Sequence, residues 1–184
     1  MSAGARTVAS VNAPTRRERP DFPPGYGLPD TDVGLLDWAD VEARLIAGRQ
    51  YWLASTRPDG RPHLIPRWGV WVDGRFYYDG SPATRHARNV AVNPACSLAL
   101  EDGAHAVIVE GRSDATRAGP DGLGRRLATA FEKYHDAVYA PAADAWSGAD
   151  GGGLRVLRPR TVLAWVDYPV DATRFVFEDR PVSG

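Results

Sequence analysis

The sequence predicts a mainly β protein, a mostly antiparallel barrel with peripheral helices. Two observations carry this. Asp-Gly pairs at 59–60, 73–74 and 102–103 each sit between runs rich in Val, Ile, Leu, Trp, Phe or Tyr, and Asp-Gly supplies the positive φ angles of tight hairpin turns. Helical periodicity occurs only in isolated segments rather than after every strand, which excludes a doubly wound parallel sheet.

Taken in order, residues 1–30 are rich in Pro, Arg, Gly and Ser. They bury too little apolar surface to offset the entropy of ordering, so a flexible arm is expected there, the alternative being that Phe22 and Tyr26 anchor it across a neighbouring subunit. From Leu36 the apolar period becomes 3.6, with Trp38, Val41 and Leu45 on one face. Asp37 is placed to cap this helix and Gly48 to end it. Strands are predicted at about 50–56, 62–72, 75–78, 95–101, 104–112 and 154–166, with a short addition at 172–177. Pro66 falls inside the second and cannot donate to a ladder, so that strand is expected at an edge or broken by a bulge. Between the third and fourth strands, ATRHARNVAVN reads as a short helix that opens with basic residues. An amphipathic helix is predicted from about Asp121, with Leu123, Leu127, Phe131, Tyr134 and Val138 on one stripe. Residues 140–153 read as a loop.

Length and composition bound the function. A chain of 184 residues with 43% hydrophobic content fits one domain, expected over 31–184. A net charge of −1, with both signs mixed along the chain, gives no footprint for nucleic acid or a membrane surface. No apolar run reaches transmembrane length and the N-terminus lacks a signal-peptide centre, so a cytoplasmic protein is expected. Cys96, the single cysteine, reads as a small strand residue. The four histidines are not at zinc spacing, and nucleophile elbow, Walker loop and Rossmann fingerprint are absent. What the chain offers instead is a basic helix start beside aromatic residues. Unsatisfied first-turn N–H groups, the helix dipole and a guanidinium fork favour a bound anion, which suits a cofactor that brings its own reactivity.

The order strand, DGRPH, strand, DGRFYY, then TRHARN and NP before another strand resembles the pyridoxamine 5'-phosphate oxidase-like split barrels, which include the flavin and deazaflavin oxidoreductases. The resemblance covers roughly residues 35–178 and implies a homodimeric split β-barrel that binds FMN at the subunit interface and acts as an oxidoreductase on a small substrate. By position it implies phosphate contacts from Thr84, Arg85 and His86, and contacts to the ring and ribityl chain from Ile65, Pro66, Arg67 and Trp68. It also implies contacts from Tyr77 and Tyr78 at the end of the third strand. A looser match in RPRTVLAWVDYPVDATRF implies that Trp165 and Arg174 reach a flavin across the dimer. Lysine is usual in the family where His86 stands, so Arg85 carries most of the expected charge. The chain has TRFVFEDRP where vitamin B6 oxidases carry an Arg-Leu-His type segment, so the family name is not read as the substrate. Two alternatives keep the fold: a deazaflavin-dependent reductase, with Arg61, Arg67 and the arginines at 125 and 126 lining a groove for the coenzyme's acidic tail, or a non-enzymatic flavin- or haem-binding barrel.

Overall fold

The computed structural model describes residues 12–178. Strand β1 (Arg16–Glu18) is followed by α1 (Trp38–Ala47), β2 (Tyr51–Thr56), β3 (Pro62–Arg67), β4 (Val70–Val72), β5 (Arg75–Tyr78), α2 (Arg85–Val92), β6 (Ala95–Leu100) and β7 (Val107–Ala115). A π turn (Pro120–Gly124), α3 (Arg125–Phe131) and 3-10 turns at Glu132–Ala137 and Gly151–Gly153 lead to β8 (Arg155–Ala164) and β9 (Thr173–Val176). All strand pairs are antiparallel, in the order β1-β9-β8-β7-β6-β2-β3, and the β4–β5 hairpin joins through β5 to β8. The long strand β8 therefore serves two neighbours on one side, β5 along Arg155–Leu157 and β9 along Thr161–Ala164. This is the split-barrel arrangement that the sequence implies.

Alternation along the strands builds two cores. Tyr51 and Leu53 of β2, Phe76 and Tyr78 of β5, Leu98 of β6, Val109 of β7 and Phe175 of β9 fill the barrel, closed by Val41 and Leu45 of α1. Val70, Tyr77 and Val156 face the other way and pack against Leu127, Phe131, Tyr134 and Trp146 from α3 and the segments after it. Tyr134 fastens this layer to the barrel. Its hydroxyl accepts from the buried Gly69 N–H at 3.1 Å and has the Arg49 and Gly69 carbonyl oxygens at 2.8 and 2.9 Å for its own proton.

Several expectations change in detail. The predicted strand 62–72 is two strands, because the chain turns at Trp68-Gly69 before β4 pairs with β5. Pro66 does lie on an edge, since β3 pairs only with β2. The turns at 59–60 and 73–74 use positive φ, at Gly60 and at both Asp73 and Gly74. The turn at 102–103 does not; the Asp102 carboxylate instead accepts the Ala104 and His105 N–H groups at 2.9 and 3.1 Å. Val138 leaves the predicted stripe, being 94% exposed with positive φ.

Of the arm expected over 1–30, residues 1–11 lie outside the described residues, and the rest runs along the barrel. Strand β1 extends the sheet through β9, and the Arg19 guanidinium donates to the carbonyl oxygens of Thr31, Val33, Val170 and Ala172. Backbone pairing, one multiply engaged arginine and the Phe22 ring against Tyr26 and Tyr168 hold this segment. No helix among the described residues is long and apolar enough to cross a membrane.

Candidate functional site

The site develops at the seam of the split barrel, where the free edge of β3 faces the end of β5. Residues 63, 65 and 67 of β3 share a face with Ser55, Leu53 and Tyr51, their partners on β2, and so point to the barrel interior. Ile65 packs against the barrel core. The Arg67 guanidinium spans the seam: it donates to the Asp79 carbonyl, lies 5.6 Å from the centroid of the Tyr78 ring and sits against Gly80, where a Cβ would meet Nη2 at 3.2 Å. Its Nε is buried without a partner, as is His63 Nδ1. Pro66 and Trp68 turn outward and line an open cavity of about 430 Å³ with Gln50, Arg67, Asp79 and Tyr139. Trp68 stacks on Tyr134, with centroids 5.1 Å apart and planes at 20°. Asp79 holds the far wall, its carboxylate accepting from the Tyr139 hydroxyl and, at 2.9 Å, from Trp146 Nε1.

Helix α2 begins at the same seam. Thr84 is its N-cap residue, but the hydroxyl donates to the Ser81 carbonyl at 2.8 Å, and no side chain caps the first turn. No acidic residue occupies that turn. The dipole end and its free N–H groups are therefore uncompensated. Arg85 is exposed and forms no ion pair among the described residues.

His86, expected by position at the phosphate, is a buried residue. It is 3% exposed, with Nε2 3.4 Å from Thr84 Oγ1 and its ring 5.9 Å from that of Tyr78. Burial, reinforced by the positive charges of Arg67 and Arg155 and by His63, pulls its pKa down to about 4. The imidazole is neutral at pH 7 and adds no charge to the site.

The tyrosines expected at the cofactor are core residues. Tyr77 lies in the α3-side core, away from the seam. Tyr78 is fully buried, and its hydroxyl shares a 2.7 Å hydrogen bond with Ser113 Oγ. It forms the floor on which Arg67 and His86 rest. Burial pushes its pKa up to about 12, so it stays a phenol. Cys96 is half-buried, and burial likewise raises its thiol pKa to about 12, leaving it unreactive at neutral pH.

Trp165 and Arg174 do not join these residues within one chain. Trp165 follows β8 at the end opposite Arg155, the partner of Tyr78, and a ten-residue strand separates those ends by about 30 Å. Trp165 packs on Tyr168 with centroids 5.3 Å apart. Arg174 is committed to Glu18 of β1, donating Nε at 2.8 Å and Nη2 at 2.5 Å. Nor do the arginines expected to form a groove for an acidic tail stand free: Arg61 pairs with Asp59, Arg125 with Asp121 and Arg126 with Asp73. That groove loses most of its charge.

The sequence reading passed over His63, Asp79, Tyr134, Tyr139 and Arg155. Arg155 carried the same signal as Arg67, a charge inside an apolar strand, whereas Asp79 and Tyr139 meet only through the folding of the 138–146 segment.

Comparison with known proteins places this geometry in a family. A family model described as pyridoxamine 5'-phosphate oxidase matches residues 39–165. Among solved structures, a conserved hypothetical protein from Mycobacterium tuberculosis superposes with a TM-score of 0.56 at 24% identity, over 71% of this chain and 85% of that one. A heme binding protein from Mycobacterium smegmatis superposes with a TM-score of 0.54 at 21% identity, over 73% of this chain and 57% of that one. An FAD-binding protein from Mesorhizobium loti gives a TM-score of 0.51 at 22% identity, over 78% and 96%. No curated protein matches the sequence. With the family model spanning more than half of its length and the strand order of a split barrel, the chain belongs to the pyridoxamine 5'-phosphate oxidase family.

Proposed function

We propose that the chain binds FMN at the seam between β3 and α2 and works as an oxidoreductase on a small substrate. The observation that carries this reading is the uncompensated positive end of the site. Arg85 and the open first turn of α2 lie beside buried, partnerless donors on His63 and Arg67, and together they favour a phosphate. Two solved relatives are named as binding FAD and haem, so barrels of this shape hold planar cofactors. The flavin is preferred here because Arg67, at the cationic end, also lines a cavity walled by Trp68 and Tyr139. FMN is preferred to the deazaflavin coenzyme because Arg61, Arg125 and Arg126 are already neutralised.

The isoalloxazine would supply the redox chemistry. Arg85 and the α2 N–H groups hold the phosphate, Arg67 orients a polar edge at the seam, and Trp68, Pro66 and Tyr139 exclude water from one face of the ring. Neutral His86 contributes packing beneath the phosphate rather than charge.

The protein would act as a homodimer. Trp52 and Leu64 are 41% and 59% exposed on the outer face of β2 and β3, with Pro66 directly opposite Trp52 and Ala54 opposite Leu64. This flat apolar face is continuous with the small side chains of Ala95, Ser97 and Ala99 on β6. A second copy would also bring Trp165 to a site that its own chain cannot reach. Equilibrium titration of FMN and of riboflavin tests the reading. Arg85→Ala is expected to weaken FMN roughly tenfold or more, the loss of a charge-assisted hydrogen bond, and to leave riboflavin unchanged. Equal FMN affinity in variant and wild type would contradict the assignment.

A further inference from the structure

Arg155 opens β8 opposite Tyr78 of β5. Leu157, two residues on and on the same face of the strand, lies in the barrel core, so Arg155 projects inward. It is only 9% exposed. Its Nε is buried without a partner, and its side chain forms no ion pair or hydrogen bond with any described residue. A guanidinium N–H withdrawn from water without an acceptor costs the fold a desolvation penalty.

Its surroundings deepen the cost. Arg67 lies over the Tyr78 ring and takes the cation–π contact there, while the His86 ring approaches Tyr78 from α2. The Arg155 charge acts on both His86 and Tyr78. The carboxylates adjoining these strands are engaged elsewhere, Asp79 with Tyr139 and Trp146, and Asp114 with Arg158 at 2.7 Å. Two arginines and the open N-terminus of α2 thus converge on one barrel end, and neither guanidinium is paired with a carboxylate, although Asp79 stands beside Arg67.

We infer that Arg155 is an anion-binding residue, and that with Arg67 and the first-turn N–H groups of α2 it forms a subsite for a phosphate-class oxyanion at this end of the barrel. The inference rests on the flavin reading for the owner of that phosphate. Arg155 then supplies, from β8, the second charge that the family's usual lysine would give and that His86 does not. A fork-shaped guanidinium held in place by the strand is suited to bidentate contact with a phosphate.

The test is thermal melting of the cofactor-free protein in inorganic phosphate against chloride at matched ionic strength, for wild type and Arg155→Met. Phosphate is expected to raise the melting temperature of the wild type and to leave the variant unmoved. In chloride the variant melts no lower than the wild type, because an uncompensated buried charge is removed. FMN affinity falls roughly tenfold or more in the variant while riboflavin affinity holds. A phosphate shift of equal size in both proteins, or in neither, overturns the inference. If the methionine variant fails to fold, Arg155→Lys decides: it keeps the charge but loses the fork, so its phosphate shift must be smaller, and an unchanged shift overturns the inference. Loss of the phosphate shift in the variant, with FMN bound by neither protein, would keep the subsite and remove the flavin reading. Tight and equal FMN binding by both would do the reverse.

Discussion

At the scale of single residues, burial decides which side chains contribute charge. His86 stands in a basic motif, and its position on the inner face of α2 removes it from water and keeps it neutral. Its folded pKa of about 4 lies below the 6.5 of an exposed imidazole. The unfolded chain therefore takes up a proton first as pH falls. Stability from this group is complete above about pH 6.5 and is lost progressively toward pH 4. Denaturant unfolding across that window should show a shallower loss for His86→Gln than for wild type, and parallel profiles would contradict a buried neutral imidazole. The motif revealed that this segment lies at an anion site, but the sign of each contribution depends on which helix face packs inward. Arg67 was legible because a charge in an apolar strand must find an acceptor. Arg155 obeyed the same rule and was hidden by the neighbouring Leu154 and Val156, which read as an uninterrupted core strand.

At the scale of elements, period and turn chemistry revealed most of the strands and both ends of α1, since alternation and Asp-Gly pairs act locally, although the Asp37 carboxylate pairs with Arg17 instead of capping the helix. What they did not reveal was the break between β3 and β4. Trp68-Gly69 is a short irregularity inside an apolar run, and its bonds go to Tyr134, a residue 65 positions away. The docking of β1 was equally hidden, because backbone pairing to β9 leaves no compositional mark. Strand β7 carries the sharpest element-level constraint. Its register shifts between Glu110 and Gly111, and a Cβ at Gly111 would lie 2.0 Å from the Arg158 carbonyl oxygen of β8. Since that oxygen is backbone in a paired strand, Gly111→Ala must distort the β7–β8 ladder on which both halves of the sheet depend. The variant is expected to lose several kcal/mol of stability, about the cost of severe overpacking. A melting temperature equal to wild type would show that the ladder yields there at no cost.

At the scale of the whole molecule, the division of β8 between β5 and β9 keeps the Arg67–Tyr78 seam and Trp165 at opposite ends of one chain. A site that used both would need two copies, and the apolar outer face of β2 and β3 offers the surface to join them. Trp52→Lys places a charge on that face without touching either core. It should convert a dimer to a monomer in light scattering while the far-ultraviolet dichroism stays unchanged, and a monomeric wild type would contradict the arrangement. Family membership was legible from the spacing of DGRPH, DGRFYY and TRHARN, because those segments place a turn, an edge strand and a helix start in fixed relation. The ligand preference was less legible, because it depends on which arginines find carboxylates in three dimensions.

The central claim, that an uncompensated cationic end beside the Trp68–Tyr139 wall holds a flavin phosphate, is tested most directly by mixing the purified protein with FMN, desalting it, and recording its visible absorbance. The account predicts flavin bands that co-elute with the protein in stoichiometric amount, and fewer when riboflavin is offered instead. Complete loss of FMN to the small-molecule fraction would contradict it.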